Sequence, residues 1–394
     1  MTSNQATGIP RAHNGALDGV RGIAILVVML RHSQQAFQPS SAVSKLVLGL
    51  AVNGSLGVDL FFVLSGFLIT GILLDHRGAP GALKNFYVRR ILRIFPLYYA
   101  YLAFVFLIAA RRTSVDVGPG GSLWFWLYAP NVLIQVRNHL LPYILNVTWS
   151  LGVEEQFYLV WPWVVAALDR RRLARLCIAT FGLVLLARFA VAFLGSDAAP
   201  FAVRMIAQRG FDTLSLGALV AIMLREPSLA TQLVALARRA LLPMSVLAAA
   251  YLATTFFEVS SYASVVGLEV FELWLAVLVT FAAACPGNSR IGQFFDSPVL
   301  RNFGKYSYGL YLIHVPIDIF VGNSNHVGVA RFATHLGSPV VGFALYATFL
   351  IAVSYVAARA SWFLFESRFL GLKRFFEYEA TPLRSDAATA TERA

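Results

Sequence analysis

The sequence predicts an all-α polytopic membrane protein, a bundle of about ten transmembrane helices with both termini in the cytoplasm. Three observations support this fold class: the composition, a series of apolar runs and the placement of the basic residues. Of the 394 residues, 58% are hydrophobic and only 13% are charged, whereas soluble domains carry about 25% charged residues. The mean hydropathy is +0.67. This composition excludes a soluble enzyme, a disordered protein and a disulfide scaffold.

The apolar runs give the predicted helices, because a spanning helix needs about 20 mainly apolar residues. Ten runs of that kind are present, at residues 17–37, 45–74, 92–110, 146–168, 176–195, 205–225, 240–257, 263–284, 303–322 and 338–365. Gly54 and Gly57 interrupt the second run, which we expect to open with a non-spanning piece. The aromatic segment 124–143 contains Pro130 and Pro142 and is expected to lie at the interface or to re-enter the membrane.

The basic residues orient the bundle. With the N-terminus inside, the cytoplasmic loops and tails hold 21 of the 32 Lys and Arg residues, and the outer loops hold six. Cytoplasmic loops of membrane proteins concentrate Lys and Arg, so the formal net charge of +12 indicates topology rather than nucleic-acid binding. The predicted divisions are a cytoplasmic tail at 1–16, a transmembrane domain at 17–366 and a second cytoplasmic tail at 367–394.

Ionisable side chains in the first span need a reason, since a charge at the centre of a membrane helix costs at least about 2.5–3.5 kcal/mol. Arg21 and His32 lie eleven residues apart, which is three helical turns plus about 20°. They therefore share one helix face, about 16 Å apart along the axis, with Arg21 near the inner surface and His32 in the outer half. Snorkelling of Arg21 to the cytoplasmic interface is the structural alternative.

Further carboxylates and a second histidine lie in other spans. Glu154 and Glu155 come two turns into the fourth span, and because adjacent residues point about 100° apart, they cannot both face one partner. Asp59 lies near the outer end of the second span, and His314 lies mid-membrane in the ninth. For Asp59 and His314, structural hydrogen bonding and a direct chemical role are equally compatible with the sequence.

An arginine cluster opens the third span at Arg89, Arg90 and Arg93. Arg90 and Arg93 are three residues apart and are neighbours on one helix face. Guanidinium groups bind phosphate bidentately, and a helix N-terminus adds backbone donors. From spacing alone, positive-inside anchoring is the simpler interpretation. Taken with the first span, the cluster indicates a polyanionic cytosolic ligand below a histidine and carboxylate site in the outer half.

These residues resemble the integral-membrane acyltransferase 3 family, whose members acylate sugars of envelope polysaccharides and some secondary metabolites. The family patterns match, over about 300 residues, at Arg21 and His32 (Arg-x10-His), Gly57–Gly66 with Ser65 (a glycine-rich second span), Arg90 and Arg93 (Arg-x-x-Arg), Trp149–Tyr158 (Trp-Ser-Leu, Glu, Phe-Tyr) and Tyr306–His314 (Tyr-Ser-Tyr-x-x-Tyr-Leu-x-His). Five motifs in the family's order make the resemblance specific.

The resemblance implies an O-acetyltransferase of the bacterial inner membrane that takes acetyl-CoA, or another short acyl-CoA, as its cytosolic donor and uses no metal. The implied acceptor is a hydroxyl of a cell-envelope carbohydrate, such as lipopolysaccharide O-antigen or exopolysaccharide. Many relatives carry a periplasmic esterase-type domain after the last span. This chain is expected to be the stand-alone form, which makes peptidoglycan a less favoured acceptor. Acceptor recognition is then expected in the outer loops at 111–142 and 322–337.

The residue roles implied by the resemblance fall into three groups. The donor is expected to contact the cationic side chains Arg21, Arg89, Arg90 and Arg93. The catalytic candidates are His32, as general base or as an acetyl-imidazole intermediate, and Glu154 or Asp59, either of which orients His32 or binds the sugar. Substrate-binding or structural roles are expected for Glu155, Tyr158, His314, Ser65 and Asp18.

A transporter or lipid-linked sugar flippase is the alternative function, because a permeation path would need the same intramembrane charges without an acyl donor. The sequence shows no internal repeat, which disfavours the transporter folds that are built from repeats. A pure membrane scaffold would leave Asp18, Asp59, Glu154 and His32 as costly charges without a purpose.

Overall fold

The computed structural model describes residues 14–378, with the exception of 112, 114, 258, 259, 286, 288 and 323–336. The described residues form helices and no strand. Most of the predicted tail at 1–16, part of the tail at 367–394 and most of the predicted loop at 322–337 lie outside the described residues.

The helices of the first half are α1 (Gly15–Gln34), α2 (Ala42–Val52), α3 (Leu56–Asp75), α4 (Ala82–Leu107), α5 (Gly121–Trp126), α6 (Pro130–Arg137), α7 (Tyr143–Asn146), α8 (Thr148–Ala167) and α9 (Arg170–Leu194). Those of the second half are α10 (Phe201–Ala207), α11 (Phe211–Leu224), α12 (Pro227–Ala253), α13 (Ser261–Ala284), α14 (Arg290–Phe295), α15 (Pro298–Lys305), α16 (Ser307–Ile317), α17 (Pro339–Ser361) and α18 (Ser367–Gly371). Two π-helical turns, Asp318–Gly322 and Trp362–Glu366, extend α16 and α17.

Six helical segments in the described part of the chain are long and apolar enough to cross a membrane, namely Ala42–Asp75, Ala82–Arg111, Arg170–Leu194, Pro227–Ala253, Ser261–Ala284 and Pro339–Phe375. The charged helices α1 and α8 have 20 residues each, a length of about 30 Å. Two further apolar helical segments, Phe211–Leu224 and Ser307–Val321, are shorter. This set of helices is that of a multi-pass membrane protein.

Several helix boundaries differ from the predicted spans. α4 begins at Ala82, well before the predicted start at 92, because its polar first turns remain helical outside the apolar run. The predicted sixth span, 205–225, is broken at residues 208–210 between α10 and α11. The predicted interruption near Gly54 is confirmed, since the 3-10 turn Asn53–Ser55 separates α2 from α3.

The aromatic stretch 124–143 folds into short helices before α8. The hydroxyl of Tyr98 in α4 donates to the Phe125 carbonyl at 2.9 Å, and α6 packs against α8. Thr148, the first residue of α8, is completely buried. The stretch therefore covers the start of α8, which begins inside the bundle rather than at its surface.

Helix α3 packs against α1, α8, α11 and α13, and its crossing with α11 depends on two glycines. A Cβ added at Gly66 would overlap the main chain of Leu214, and one added at Gly217 would overlap the main chain of Val63. Small residues let membrane helices approach closely and gain packing contacts. Helix α1 packs in turn against α3, α15 and α17, so the charged first helix is held on several sides.

A buried ion cluster joins α9, α11 and α13. Arg188 in α9 is 6% exposed and contacts Glu269 of α13 at 2.5 Å and Glu272 at 3.3 Å. The same guanidinium also pairs with Asp212 of α11, whose other carboxylate oxygen accepts from the backbone N–H of Thr213 at 2.8 Å. Since a charge in a low-dielectric interior is costly without a partner, this cluster fixes the three helices relative to each other.

Replacing Arg188 should test this role. Arg188→Met is expected to lower the free energy of unfolding by about 3–5 kcal/mol, because three buried carboxylates lose their cation. The measurement is thermal or denaturant unfolding of the purified protein in detergent.

Arg172→Met is the matched control, since its side chain is 69% exposed beside Asp169. The backbone N–H of Arg172, which donates to Asp169 at 2.8 Å and lowers the pKa of that carboxyl below its ordinary value, remains in the variant. A change within about 0.5 kcal/mol is expected for this surface substitution. Equal stability of the two variants would contradict the proposed role of Arg188.

Candidate active site

A cavity of about 1010 Å³ lies where α1 begins and where α3 and α11 end. Its basic lining residues are Arg21, Arg90, Arg93, Arg170, Arg225, Arg301 and Lys305. Among the described residues, only the carboxylates of Asp18 and Asp75 share the lining, and Asp75 pairs with Arg225 at 2.6 Å. The excess of positive charge favours a ligand with several negative charges.

A second, narrow cavity of about 80 Å³ adjoins the first. Both cavities are lined by Arg21, Arg90 and Arg93, which we call the arginine triplet. Away from these arginines, the narrow cavity is lined by Ser150 and Tyr311, whose hydroxyl oxygens lie 2.7 Å apart. The triplet therefore stands between a wide, positively charged chamber and a slender passage into the bundle.

The arginine triplet is half-buried and forms no ion pair within the described part of the chain. Arg90 lies over the rings of Phe86 and Tyr158 at 5.7 and 5.9 Å, and Tyr158 is buried. Aromatic faces attract cations but do not neutralise them. Because three half-buried cations that form no ion pair are costly, the arrangement is complementary to an anion from outside the chain.

Arg89, which was expected to join the donor site, faces another way. Its guanidinium donates to the carbonyls of Lys373 and Phe376 at 3.0 and 3.1 Å and lies over the Tyr378 ring at 5.5 Å. Neighbouring helical residues point about 100° apart, so Arg89 is turned away from Arg90 and holds the segment that follows α18.

The expected helix N-terminus at the arginine cluster is also absent. The first residue of α4 is Ala82, with Gly81 as its N-cap, so Arg90 lies eight residues, or about 12 Å, along the helix. The dipole and the free N–H groups of a helix act only at its first turn. An anion in the chamber would therefore be bound by the side chains of α4, without its backbone donors.

Glu154 lines the narrow cavity together with the arginine triplet. The hydroxyl of Ser65 donates to its Oε1 at 2.7 Å. Glu154 was expected at the depth of His32, but α8 begins inside the bundle, which brings its second turn to the level of the triplet. Its neighbour Glu155 points elsewhere, and its Oε1 is buried without a hydrogen-bond partner among the described residues.

His32 lies in the last turn of α1 and contacts His314 of α16. Nδ1 of His32 is 2.5 Å from Nε2 of His314, and Nδ1 of His314 lies 2.8 Å from the Leu310 carbonyl oxygen. His314 is completely buried, whereas His32 is only half-buried. The structure thus gives His32 a histidine partner, where the sequence analysis expected Glu154 or Asp59.

Asp318 forms a second group beside the histidines. The ring of Tyr143 stands edge-on to His32, with centroids 5.6 Å apart, and its hydroxyl donates to Asp318 at 2.7 Å. Tyr346 donates to the other oxygen of Asp318. Sequence reasoning missed this group, although a carboxylate four residues after His314 lies on the same helix face and could have indicated it.

Asp59 pairs with Arg209, which lies in the break before α11. Nε of Arg209 is 3.1 Å from Oδ1 of Asp59, and Nη2 contacts the other oxygen. Asp59 is completely buried, and its described contacts do not include His32. The pair ties α3 to the start of α11, which favours the structural alternative for Asp59.

The fold and the site describe a helical membrane protein with a positively charged chamber and a histidine pair deeper in the bundle. A family model described as "Acyltransferase domain" matches residues 14–359. The chain therefore belongs to the acyltransferase 3 family.

Three relatives illustrate the similarity. O-acetyltransferase OatA of Staphylococcus aureus is 29% identical over 336 residues, which cover 79% of this chain and 51% of that protein. YrhL of Bacillus subtilis is 29% identical over 79% of this chain and 50% of its own length. Peptidoglycan O-acetyltransferase OatA of Listeria monocytogenes is 31% identical over 40% of this chain and 25% of its own length. The chain thus spans about half the length of the first two relatives. No solved structure matches the chain.

A double-mutant cycle should separate a structural from a chemical role of Asp59. Asp59→Asn is expected to lower the free energy of unfolding by about 1.5–3 kcal/mol, the range for hydrogen bonds to charged groups. In the Asp59→Asn/Arg209→Gln double variant, a coupling energy of about 0.5–3 kcal/mol is expected, because the two side chains contact each other. Unfolding in detergent is the measurement. Unchanged stability with loss of acyl transfer would instead assign Asp59 to the chemistry.

Proposed function

We propose that the protein is an O-acetyltransferase that moves the acetyl group of acetyl-CoA to a hydroxyl of a cell-envelope carbohydrate. The observation that carries this proposal is the arginine triplet, which lines both the wide chamber and the narrow passage. Coenzyme A has its phosphates at one end and its thioester at the end of a slender arm. The two cavities are suited to those two parts.

In this proposal the chamber binds the donor's phosphates. Arg90 and Arg93 face it from consecutive turns of α4 and offer bidentate donors to phosphate oxygens. Arg21 of α1 lies at the entrance to the passage, where it contacts the donor further in or stabilises negative charge that develops near the thioester. The arm then reaches towards His32, about 16 Å from Arg21 along α1.

His32 performs the proton transfer. Its neutral imidazole removes the proton from the acceptor hydroxyl while that oxygen attacks the thioester carbonyl, and it returns the proton to the departing thiolate of coenzyme A. The C–O bond of the ester forms as the C–S bond breaks. In the two-step variant the imidazole nitrogen itself attacks and carries the acetyl group before the acceptor takes it.

The carboxylates have supporting roles in this scheme. Glu154, fixed by Ser65, partly balances the charge of the arginine triplet and helps to position it. Asp59 holds Arg209 and with it the start of α11. Asp18 and Tyr158 belong to the walls of the chamber and the passage, respectively.

The proposed acceptor is a carbohydrate of the bacterial envelope. The name of the Listeria monocytogenes relative specifies peptidoglycan, so peptidoglycan stands beside lipopolysaccharide O-antigen and exopolysaccharide as an acceptor to test. The described outer segment that includes α5, α6 and α7 covers the start of α8 and is the proposed site of acceptor recognition. A transporter gains no support from the family or the named relatives, which are acyl or acetyl transferases.

The proposed topology has ten spans in the bacterial inner membrane and both termini in the cytoplasm. The six long apolar segments and the helices α1, α8, α11 and α16 supply ten passes. The excess of Lys and Arg in the loops on one side supports the orientation. The chamber then opens to the cytosol, where acetyl-CoA is found, and His32 lies in the outer half.

Cysteine labelling should test this orientation. Cys177 and Cys285 are free thiols and would first be replaced by alanine. Ser40 and Lys84 are exposed residues in the first two predicted loops. Ser40→Cys should react with a membrane-impermeant maleimide in intact spheroplasts, and Lys84→Cys should react only after permeabilisation. The reverse pattern would contradict the orientation.

Turnover of the purified protein with acetyl-labelled acetyl-CoA should test the chemistry. His32→Ala is expected to abolish acetyl transfer to envelope glycans while the protein remains folded. Arg93→Gln is expected to raise the KM for acetyl-CoA about ten-fold or more, since a charged hydrogen bond contributes about 1.5–3 kcal/mol. Label found on the wild-type protein but not on His32→Ala would favour the two-step route.

Arg238→Gln serves as the control for charge, because Arg238 is exposed on α12 and lines neither cavity. Its KM should stay within about two-fold of the wild-type value, as expected for a surface substitution. Full turnover by His32→Ala would show that His32 takes no part in the chemistry. Failure of folded wild-type protein to bind acetyl-CoA would contradict the proposed donor.

A further inference from the structure

The hydrogen bonds of His314 fix where its proton lies. Nδ1 of His314 is 2.8 Å from the carbonyl oxygen of Leu310. A carbonyl oxygen only accepts, so Nδ1 of His314 must carry the hydrogen. In a neutral imidazole the other ring nitrogen then has a lone pair. Nε2 of His314 is therefore an acceptor.

His314 is expected to be neutral because of its surroundings. The residue is completely buried in α16, which packs against α1 and α17, and no carboxylate forms an ion pair with it in the described part of the chain. Burying an imidazolium without a counter-ion would cost several kcal/mol. The neutral form, with its lone pair on Nε2, is therefore the stable one.

The geometry of the histidine pair then determines which ring nitrogen of His32 carries the hydrogen. The two ring planes are within 14° of parallel and their centroids lie 4.7 Å apart. Since Nδ1 of His32 and Nε2 of His314 are separated by 2.5 Å, the two nitrogens face each other near the line between the centroids. An acceptor at Nε2 of His314 requires a donor at Nδ1 of His32.

We propose that His314 is a positioning residue that holds the proton of His32 on Nδ1 and leaves the Nε2 lone pair of His32 free for proton transfer. This inference rests on the proposed function for its catalytic consequence, but the tautomer itself does not. The two hydrogen bonds form a chain in one direction. Nδ1–H of His32 donates to Nε2 of His314, and Nδ1–H of His314 donates to the Leu310 carbonyl oxygen. Tyr143, edge-on to the His32 ring, limits the rotation of the imidazole.

The consequence for the reaction concerns which nitrogen acts. Nε2 of His32 takes the acceptor's proton, so that His32 is transiently protonated on both nitrogens, and the same Nε2–H is then given to the thiolate of coenzyme A. His32 ends as it began, with its hydrogen on Nδ1. Without an acceptor at position 314, the imidazole of His32 is free to carry its hydrogen on Nε2 and cannot then accept a proton there.

Solid-state NMR of protein labelled with 15N-histidine in lipid bilayers should read the tautomer directly. The chain has seven histidines, and the spectrum of His32→Ala assigns the His32 signals by difference. In the wild type we expect a protonated Nδ1 and an unprotonated Nε2 for His32. In His314→Phe we expect a substantial shift of the proton to Nε2. A wild-type Nε2–H, or the same tautomer in both proteins, would overturn the inference.

Kinetics of acetyl transfer should show the matching change. His314→Phe is expected to lower kcat by about 10²-fold or more, the range of general acid–base catalysis, with the KM for acetyl-CoA unchanged. His314→Gln is the matched variant, because its amide oxygen can accept from Nδ1–H of His32. Its kcat should be at least ten-fold higher than that of His314→Phe, and its His32 should have the wild-type tautomer. No recovery in a folded His314→Gln protein that has the wild-type tautomer would overturn the role of His314.

The two readouts separate this inference from the proposed function. A wild-type protein with Nδ1–H on His32 but no acetyl transfer would contradict the proposed function and support the tautomer assignment. Active wild-type protein with Nε2–H on His32 would support the proposed function and contradict the tautomer assignment. Size-exclusion chromatography of each variant in detergent confirms that the comparison is made between folded proteins.

Discussion

The need to match buried charge organises this protein, because a membrane and a packed helix bundle both penalise an ion without a partner. Arg188 satisfies three carboxylates and thereby joins α9, α11 and α13. Asp59 and Arg209 satisfy each other and join α3 to the start of α11. The arginine triplet forms no ion pair among the described residues, and the same rule favours an anion beside it.

Helix α1 sets the distance between the proposed donor-binding residue Arg21 and the proposed catalytic residue His32. It carries Arg21 at the entrance to the passage and His32 in its last turn, and its packing against α3, α15 and α17 leaves it little freedom to move. A separation of about 16 Å along one helix is therefore a fixed property of the site. Under the proposed function, a donor with a different acyl group can satisfy that separation, whereas a donor with a shorter carrier arm cannot.

Sequence reasoning identified the parts whose signal is local. The face shared by Arg21 and His32 follows from helical periodicity, and most of the spans follow from hydropathy. The contact of His32 with His314 joins residues 282 positions apart, and no local pattern specifies such a pair. The predicted depth of Glu154 was wrong for a related reason. The position of Glu154 depends on how the preceding short helices cover the start of α8. The orientation of Arg89, by contrast, could have been predicted from the sequence, because neighbouring helical residues such as Arg89 and Arg90 point about 100° apart.

The narrow cavity has a consequence for the energy supply of the cell. In the proposed function, a path that brings a cytosolic thioester towards the far side of a bilayer would also be a route for leakage of ions. The passage measures only about 80 Å³ and has the arginine triplet at one end. Fixed positive charge in a constriction repels hydronium and metal cations. Under the proposed function, the arginines that favour a polyanion would therefore also hinder cation leakage, which would protect the proton-motive force while the enzyme works.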